Sequence, residues 1–375
     1  MPTTIDTLVA ELNKKYGMEI IRKGMAFERL PRIPFSSVRL NWSTYGGIPQ
    51  GKVTELFGPD GGGKTTTALD LVMQAQRLAI EEWNEQGVSL KDQIKRATGK
   101  AQTQLVEEAA RFEEQGPRRV LYVDTEGTLD QAWAKKLGVD TESMLLMKPQ
   151  EQSAEQILQA ILDIIDSGQI FLCVLDSIPM LVPQQAFDND MEHKEYGGVS
   201  QPLSAFAKKL MQRLTHWNTT FIAINQTRDD FGNPYNQYKT PGGRLWKHAC
   251  SLRLYIRKGP FLDEDNVEQK QSDEDPAGNV VETLIMKTKI CPANRRLSTF
   301  TLRYDYGIDR AEDVMLLSIR EGFLDKSGSW LKDLETGETF HGAPKLRAFL
   351  REHPERLTAF EERLRPLCEL GASEA

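Results

Sequence analysis

The chain has 375 residues, in which 47 Lys and Arg stand against 54 Asp and Glu for a formal charge of -7. That balance excludes a uniformly basic coat for nucleic acid and leaves room for a local basic groove. Hydrophobic residues at 39% and charged residues at 27% exclude a disordered chain and supply a sizeable core. At about 150 residues per domain, two or three units are expected, or one long α/β domain with appendages.

Ile5, Leu8, Val9, Leu12 and Tyr16 recur at helical spacing, and Gly17 stands where a C-cap glycine belongs. Met18 to Arg22 then reads as a short strand. So small a helix and strand cannot bury both faces alone. Residues 1–35 are therefore expected to be an arm, packed on its own core or docked on a neighbouring subunit. The first residues lack the basic start and apolar run of a signal peptide. No stretch approaches the roughly 20 apolar residues of a membrane span. Cys173, Cys250, Cys291 and Cys368 form no CxxC pair. A cytoplasmic protein in a reducing compartment is the expectation.

Residues 36–310 alternate strand with helix, which predicts an α/β fold with a mostly parallel sheet and helices on its faces. Lys52–Phe57, Val120–Val123, Phe171–Leu175 and Thr220–Ile224 are the clearest strands, short apolar runs suited to burial on both sides. Two stretches look inserted. Glu81–Gly116 is charged and helix-favouring, and Gly259–Asn279 reads as an acidic surface loop. Residues 311–375 form a smaller C-terminal unit with an apolar helix, Val314–Ile319, and an arginine-rich helix to about Arg365. In that second helix Lys345, Arg347, Arg351, Arg356, Arg363 and Arg365 could touch duplex DNA, but they interleave with Glu352, Glu355, Glu361 and Glu362, which favours a solvated face.

Functional side chains of such sheets collect at the carboxyl ends of the strands. Gly58-Pro59-Asp60-Gly61-Gly62-Gly63-Lys64-Thr65 satisfies GxxxxGK[ST] between a strand and the helical run Thr66–Ala79. Glycines let backbone N–H groups face phosphates, and the helix N-terminus adds its positive end. Lys64 would neutralise the β- and γ-phosphates of ATP, and Thr65 would hold Mg²⁺. Asp176 closes an apolar strand, as an acidic group that orients the magnesium through its water does. Glu126, in Asp124-Thr-Glu126, and Gln226, in Asn225-Gln226, follow two other strands. Each is a candidate to orient water or sense phosphate, or else a capping or turn residue.

The ordered set FGPDGGGKTT, YVDTEGTLDQAWAKKLGVD, VLDSIPMLVP, AINQTRDDFGNP and TPGGRLWKHACSLRL resembles the bacterial and phage RecA recombinase family. The likeness runs from about residue 5 to about residue 365, with Glu81–Gly116 outside it. It implies a P-loop NTPase core, filaments on single-stranded DNA, pairing with a homologous duplex, and ATP with Mg²⁺ as cofactors. By resemblance Glu126 is the catalytic glutamate, Gln226 the γ-phosphate sensor, and Asp130 and Trp133 the adenine contacts. Lys287 and Lys289 match two lysines that reach ATP across the subunit interface; read from the residues alone, they are solvated cations on an exposed strand.

Two DNA-binding loops follow from the same resemblance, about Phe187–Gly198 and about Arg228–Arg244. Arg228, Gly242, Gly243 and Arg244 supply charge and close backbone approach in the second. On residues alone both are solvated loops with scattered cations. The first loop departs from the pattern in carrying Asp188, Asp190, Glu192 and Glu195, and His248 stands where the family usually has phenylalanine. Two other readings of the core remain open: an ATP-binding filament that coats DNA without exchanging strands, and a hexameric motor such as a helicase.

Overall fold

The computed structural model describes residues 4–16, 30–188, 198–227, 239–270 and 275–369. The chain divides into two compact units, residues 1–31 and 32–375. In the first, α1 (Ile5–Tyr16) carries Asp6 in its first turn and Lys14 and Lys15 in its last, in accord with the helix dipole. None of its residues is buried. The strand expected at Met18–Arg22 lies outside the described residues.

The second unit opens on a two-stranded ribbon, β1 (Arg32–Ile33) with β2 (Ile48–Pro49), around α2 (Val38–Thr44). Among the described residues its main sheet has ten strands. Six of them are parallel, in the order β8-β3-β7-β6-β4-β5. They are β3 (Val53–Gly58), β4 (Arg119–Asp124), β5 (Leu145–Met147), β6 (Ile170–Asp176), β7 (Thr220–Gln226) and β8 (Leu252–Leu262). The crossovers that parallel pairing requires are α3 (Lys64–Arg96) with α4 (Lys100–Gln115), α5 (Gln131–Lys136), α6 (Ala154–Ile165), α7 (Gln184–Asp188) with α8 (Ser200–Trp217), and α9 (Gly243–Ala249). Alternation along the strands sends Val120 and Tyr122 to one apolar layer with α3, and Leu121 and Val123 to the other with α6 and α8.

Beyond β8 the sheet turns antiparallel through β9 (Glu268–Gln269), β10 (Gly278–Thr288), β11 (Leu297–Arg303) and β12 (Gly307–Ile308). The acidic stretch Gly259–Asn279 is thus only partly a loop. Its ends belong to the long β8–β10 pairing, because backbone hydrogen bonding is indifferent to the charges that crowd the turn at Asp263–Asn266. The stretch Glu81–Gly116 is a helical hairpin. α3 continues through it to Arg96, and α4 returns with Phe112 stacked on Trp83 at 5.7 Å and Arg118 bound to Glu82 at 2.8 Å.

The C-terminal part comprises α10 (Arg310–Arg320), a three-stranded sheet of β13 (Leu324–Ser327), β14 (Trp330–Asp333) and β15 (Thr339–His341), then α11 (Ala343–Glu352) and α12 (Pro354–Leu364). Val38 and Trp42 of α2 pack into its apolar cluster. The one arginine-rich helix expected here is two, because Pro354 starts a fresh helix at its first position. Nor are its cations merely solvated. Arg347 is buried on Glu312 at 2.7 Å, Arg356 reaches Glu338 at 2.8 Å, and Arg363 reaches Glu335 at 2.9 Å. Among the described residues no helix is long and apolar enough to cross a membrane.

Two buried carboxylates fasten the entry into α2. Asp70 on α3 accepts from the Ser36 N–H at 2.9 Å and from the Ser36 hydroxyl, and Asp313 on α10 accepts from the Ser37 hydroxyl. Burial raises Asp70 to about 6 and Asp313 to about 7. The folded chain therefore holds these protons more tightly than the unfolded one. Stability from these groups is fully present below their unfolded values near 3.8 and is lost as pH rises through about 6 and 7. Replacing both by Asn should make the fall in unfolding free energy between pH 5 and 8, followed by urea denaturation, smaller by at least about 1 kcal/mol. Parallel pH profiles for parent and variant would contradict this role.

Candidate nucleotide site

The P-loop starts from β3, whose six residues are all buried. Gly58 is required by close approach, since a Cβ there would meet the Ile256 carbonyl oxygen at 1.9 Å. Gly63, at a φ of 93°, turns the chain into α3. Lys64 is buried, its ammonium donating to the carbonyls of Gly58 at 3.2 Å and Pro59 at 2.6 Å. Burial pulls its pKa below the ordinary lysine value, against the charges of Asp60, Asp176 and Glu126.

Strand register brings the other groups to this turn. Gly58 pairs with Gln226 across β3 and β7, and Asp124 pairs with Asp176 across β4 and β6. The Thr65 hydroxyl donates to Asp176 Oδ2 at 3.1 Å, and the Tyr122 hydroxyl donates to the same oxygen at 2.7 Å. Burial raises the Asp176 carboxyl to about 6, with the Tyr122 hydrogen bond working against it and the Glu126 charge adding to it. Tyr122 is itself pushed well above its usual value by burial and by Asp176.

Glu126 stands beyond the end of β4 and accepts from the Ser177 hydroxyl at 2.5 Å. The two strand ends are clamped together. Thr125 N donates to the Asp176 carbonyl at 2.7 Å, and Ser177 N donates to Thr125 Oγ1 at 2.7 Å. Asp124 folds the next turn by accepting N–H groups from Gly127, Thr128 and Leu129. A cavity of about 660 Å³ opens beside the P-loop, lined by Gly61, Gly62, Gly63, Lys64, Thr65, Thr66 and Trp133 on one side. The far wall is Lys258, Phe261, Asn279, Leu302 and Tyr304.

The profile of the RecA N-terminal domain matches residues 3–81 and 95–309. The chain belongs to the RecA family. It is 29% identical over 370 residues to Protein RecA of Syntrophus aciditrophicus, covering 96% of this chain and 92% of that one. It is 30% identical over 355 residues to Protein RecA of Rubrobacter xylanophilus, covering 94% and 89%. With Protein RecA of Kineococcus radiotolerans the identity is 29% over 372 residues, covering 98% and 92%. The gap in the RecA profile, between residues 81 and 95, falls within α3, and residues 95–116 are matched, so the stretch expected to stand outside the likeness is shorter than Glu81–Gly116.

Of the two adenine contacts expected from the RecA resemblance, Trp133 lines the cavity, its indole N–H on Thr66 Oγ1 at 3.3 Å. Asp130 does not line it. Its carboxylate caps α5, accepting from Ala132 N at 2.8 Å and Trp133 N at 3.0 Å, and so fixes the backbone that carries Trp133. Pro59 and Asp60 form the exposed shoulder of the P-loop, while Gln226 ends β7 half-buried. Lys287 and Lys289 do not line their own chain's cavity. Lys287 rests on the carbonyls of Lys247 and His248, and Lys289 on that of His248 at 2.5 Å, at the C-terminus of α9.

Gly242, at a φ of 104°, starts α9 with Gly243, and a Cβ on Gly242 would meet Leu203 at 2.7 Å. Arg244 is exposed on the first turn. Arg228 and most of both expected DNA loops lie outside the described residues. The motifs did not reveal Tyr122, Ser177 or the far wall of the cavity. Tyr122 hides in an apolar strand, and the wall comes from strands distant in sequence with no local pattern.

The oxygens of Thr65 and Asp176 lie side by side, a donor set suited to a hard cation such as Mg²⁺. Only ionised Asp176 can serve such a cation, so magnesium-nucleotide affinity should rise as pH rises through about 6. Calorimetric titrations at pH 5 and pH 7 should differ by up to about tenfold, with proton release at the lower pH. Equal affinities without proton release would remove Asp176 from the site. Trp133→Ala should weaken adenine nucleotide binding roughly threefold to tenfold, and Trp133→Tyr should restore it, as read by equilibrium dialysis.

Proposed function

We propose that this chain is an ATP-dependent recombinase, a DNA-dependent ATPase that forms a filament on single-stranded DNA and promotes pairing and strand exchange with a homologous duplex. The observation that carries this reading is the meeting of the P-loop with three further strand ends, bearing Glu126, Asp176 and Gln226, in a chain of the RecA family. A P-loop alone would fit many ATPases. Membership of the RecA family supports recombination as the coupled process.

In this reading Lys64 neutralises the terminal phosphates of ATP, and Gly58 to Thr66 cradle them with backbone N–H groups. Thr65 would hold Mg²⁺ directly and Asp176 through a water. Held there, the ion would supply positive charge against the phosphates. Glu126, oriented by Ser177, takes the proton of the attacking water, and Gln226 senses the γ-phosphate. Lys287 and Lys289 leave the α9 carbonyls to reach the nucleotide of a neighbouring copy. Arg228, Gly242, Gly243 and Arg244 contact DNA phosphates, so binding tolerates sequence and weakens with salt. The exposed apolar side chains Ile5, Leu8 and Tyr16 of α1 suit an arm that docks on the next subunit.

Glu126→Gln should bind ATP and single-stranded DNA while hydrolysing ATP at least about a hundredfold more slowly. A strand-exchange assay with ATP, set against a slowly hydrolysed analogue, separates a recombinase from a passive coat. Parental turnover in Glu126→Gln would refute the assignment of the base, and coating without exchange would refute the recombinase.

A further inference from the structure

Glu55 sits in the middle of β3, wholly buried, where the sheet offers no solvent for a carboxylate. An ion there costs several kcal/mol unless its oxygens are matched by donors. Both are. Oε1 accepts from Asn225 Nδ2 at 2.8 Å and from the Trp246 indole N–H at 2.9 Å, and Oε2 accepts from Arg253 Nε. The Arg253 guanidinium lies over the Phe57 ring at 4.4 Å and extends its other arm to Thr240 Oγ1 at 3.1 Å. Asn225 Nδ2 also reaches the Pro241 carbonyl at 3.1 Å, and Asn225 Oδ1 accepts the Gln226 N–H at 3.0 Å.

None of the side chains around Glu55 lines the nucleotide cavity, and packing alone does not call for them. A buried ion pair of this kind is often replaced by apolar groups without loss of stability. What the cluster does is join segments far apart in sequence. It ties the end of β7, which carries Gln226, to Thr240 and Pro241 on the chain entering α9, and to Trp246 within α9.

We propose that Glu55 is a positioning residue that couples the nucleotide to the second DNA loop, through Asn225 on one side and Trp246 on the other. The DNA half of this proposal rests on the function proposed above. A shift of Gln226 carries Asn225 with it. Breaking one contact leaves a buried donor or acceptor unmatched, at the cost of its desolvation. Residues 240–249 therefore follow β7 as a body instead of loosening one bond at a time. The coupling is reciprocal in binding: DNA held by the loop changes nucleotide affinity by the same factor that nucleotide changes DNA affinity.

The test uses the full chain and Trp246→Phe, which removes the indole N–H and leaves Asn225 and Arg253 on Glu55. Arg253→Lys, which keeps a cation beside Glu55 and cuts the Thr240 contact, serves as a second variant should the first lower the melting temperature. Both should keep the ATP affinity and DNA-free turnover of the parent. Stimulation of turnover by an oligo-dT strand should fall about tenfold, within the usual range of coupling energies. In the parent, a slowly hydrolysed ATP analogue should alter amide hydrogen exchange across residues 243–249; in the variants it should not. Undiminished DNA stimulation and an intact exchange response in both variants would overturn the proposal, as would equal loss of DNA-free and DNA-stimulated turnover. If DNA fails to stimulate the parent, the proposed function falls, and the exchange response, which needs no DNA, still decides the coupling.

Discussion

Parallel pairing of β3 with β7 and of β4 with β6 is the constraint from which the site follows. Peptide hydrogen bonds fix which residues stand side by side, and in this register the chain leaves all four strands at one edge. Short side-chain bonds then finish the arrangement. Asp176 is held from below by Tyr122 and from the P-loop by Thr65, and Ser177 and Thr125 lock the two turns that carry Asp176 and Glu126. A slip of one residue between β4 and β6 would send Tyr122 to the opposite layer and break the contacts that join β4 and its turn to Asp176 and Ser177.

The burial that makes the site stable also sets its chemistry. Asp176 loses solvent, so its proton is held more tightly than that of a free carboxyl. Lys64 loses solvent too, and its ammonium takes carbonyl oxygens as partners. The two groups lie in one electrostatic neighbourhood, where a polyanion with a divalent cation would give each a further opposite charge. Asp70 and Asp313 obey the same physics with no nucleotide in view. There the matched donors are serines, and the result is a fixed joint between α2, α3 and α10.

Legibility in the sequence tracked the distance over which each feature is determined. The P-loop was readable because strand, turn and helix are contiguous and each residue type has a local reason. The strand ends at Asp124, Asp176 and Gln226 were readable for the same reason, as breaks in apolar runs. Phe261, Leu302 and Tyr304 were not, since nothing near them in sequence says that an antiparallel extension folds them over the P-loop. The arginines of α11 and α12 misled because their partners, Glu312, Asp333 and Glu338, lie on other elements. Asp130 shows a family position whose side chain, in this fold, is engaged by the backbone of its own helix.

The hairpin of α3 and α4 runs on beyond the last buried residue of α3. α3 has 33 residues, about 50 Å of continuous helix from the P-loop lysine to Arg96. Its buried residues end at Ala79, and α4 has none. Everything beyond Ala79 is therefore a stalk, stiffened by the Trp83–Phe112 stack and ending in the connector Ala97–Gly99. A splice at that connector adds mass to the rim of the molecule while leaving the phosphate turn at the stalk's root untouched. The same rigid geometry makes the tip a long pointer, on which a small tilt of the P-loop helix is magnified into a displacement that a spectroscopic label can resolve.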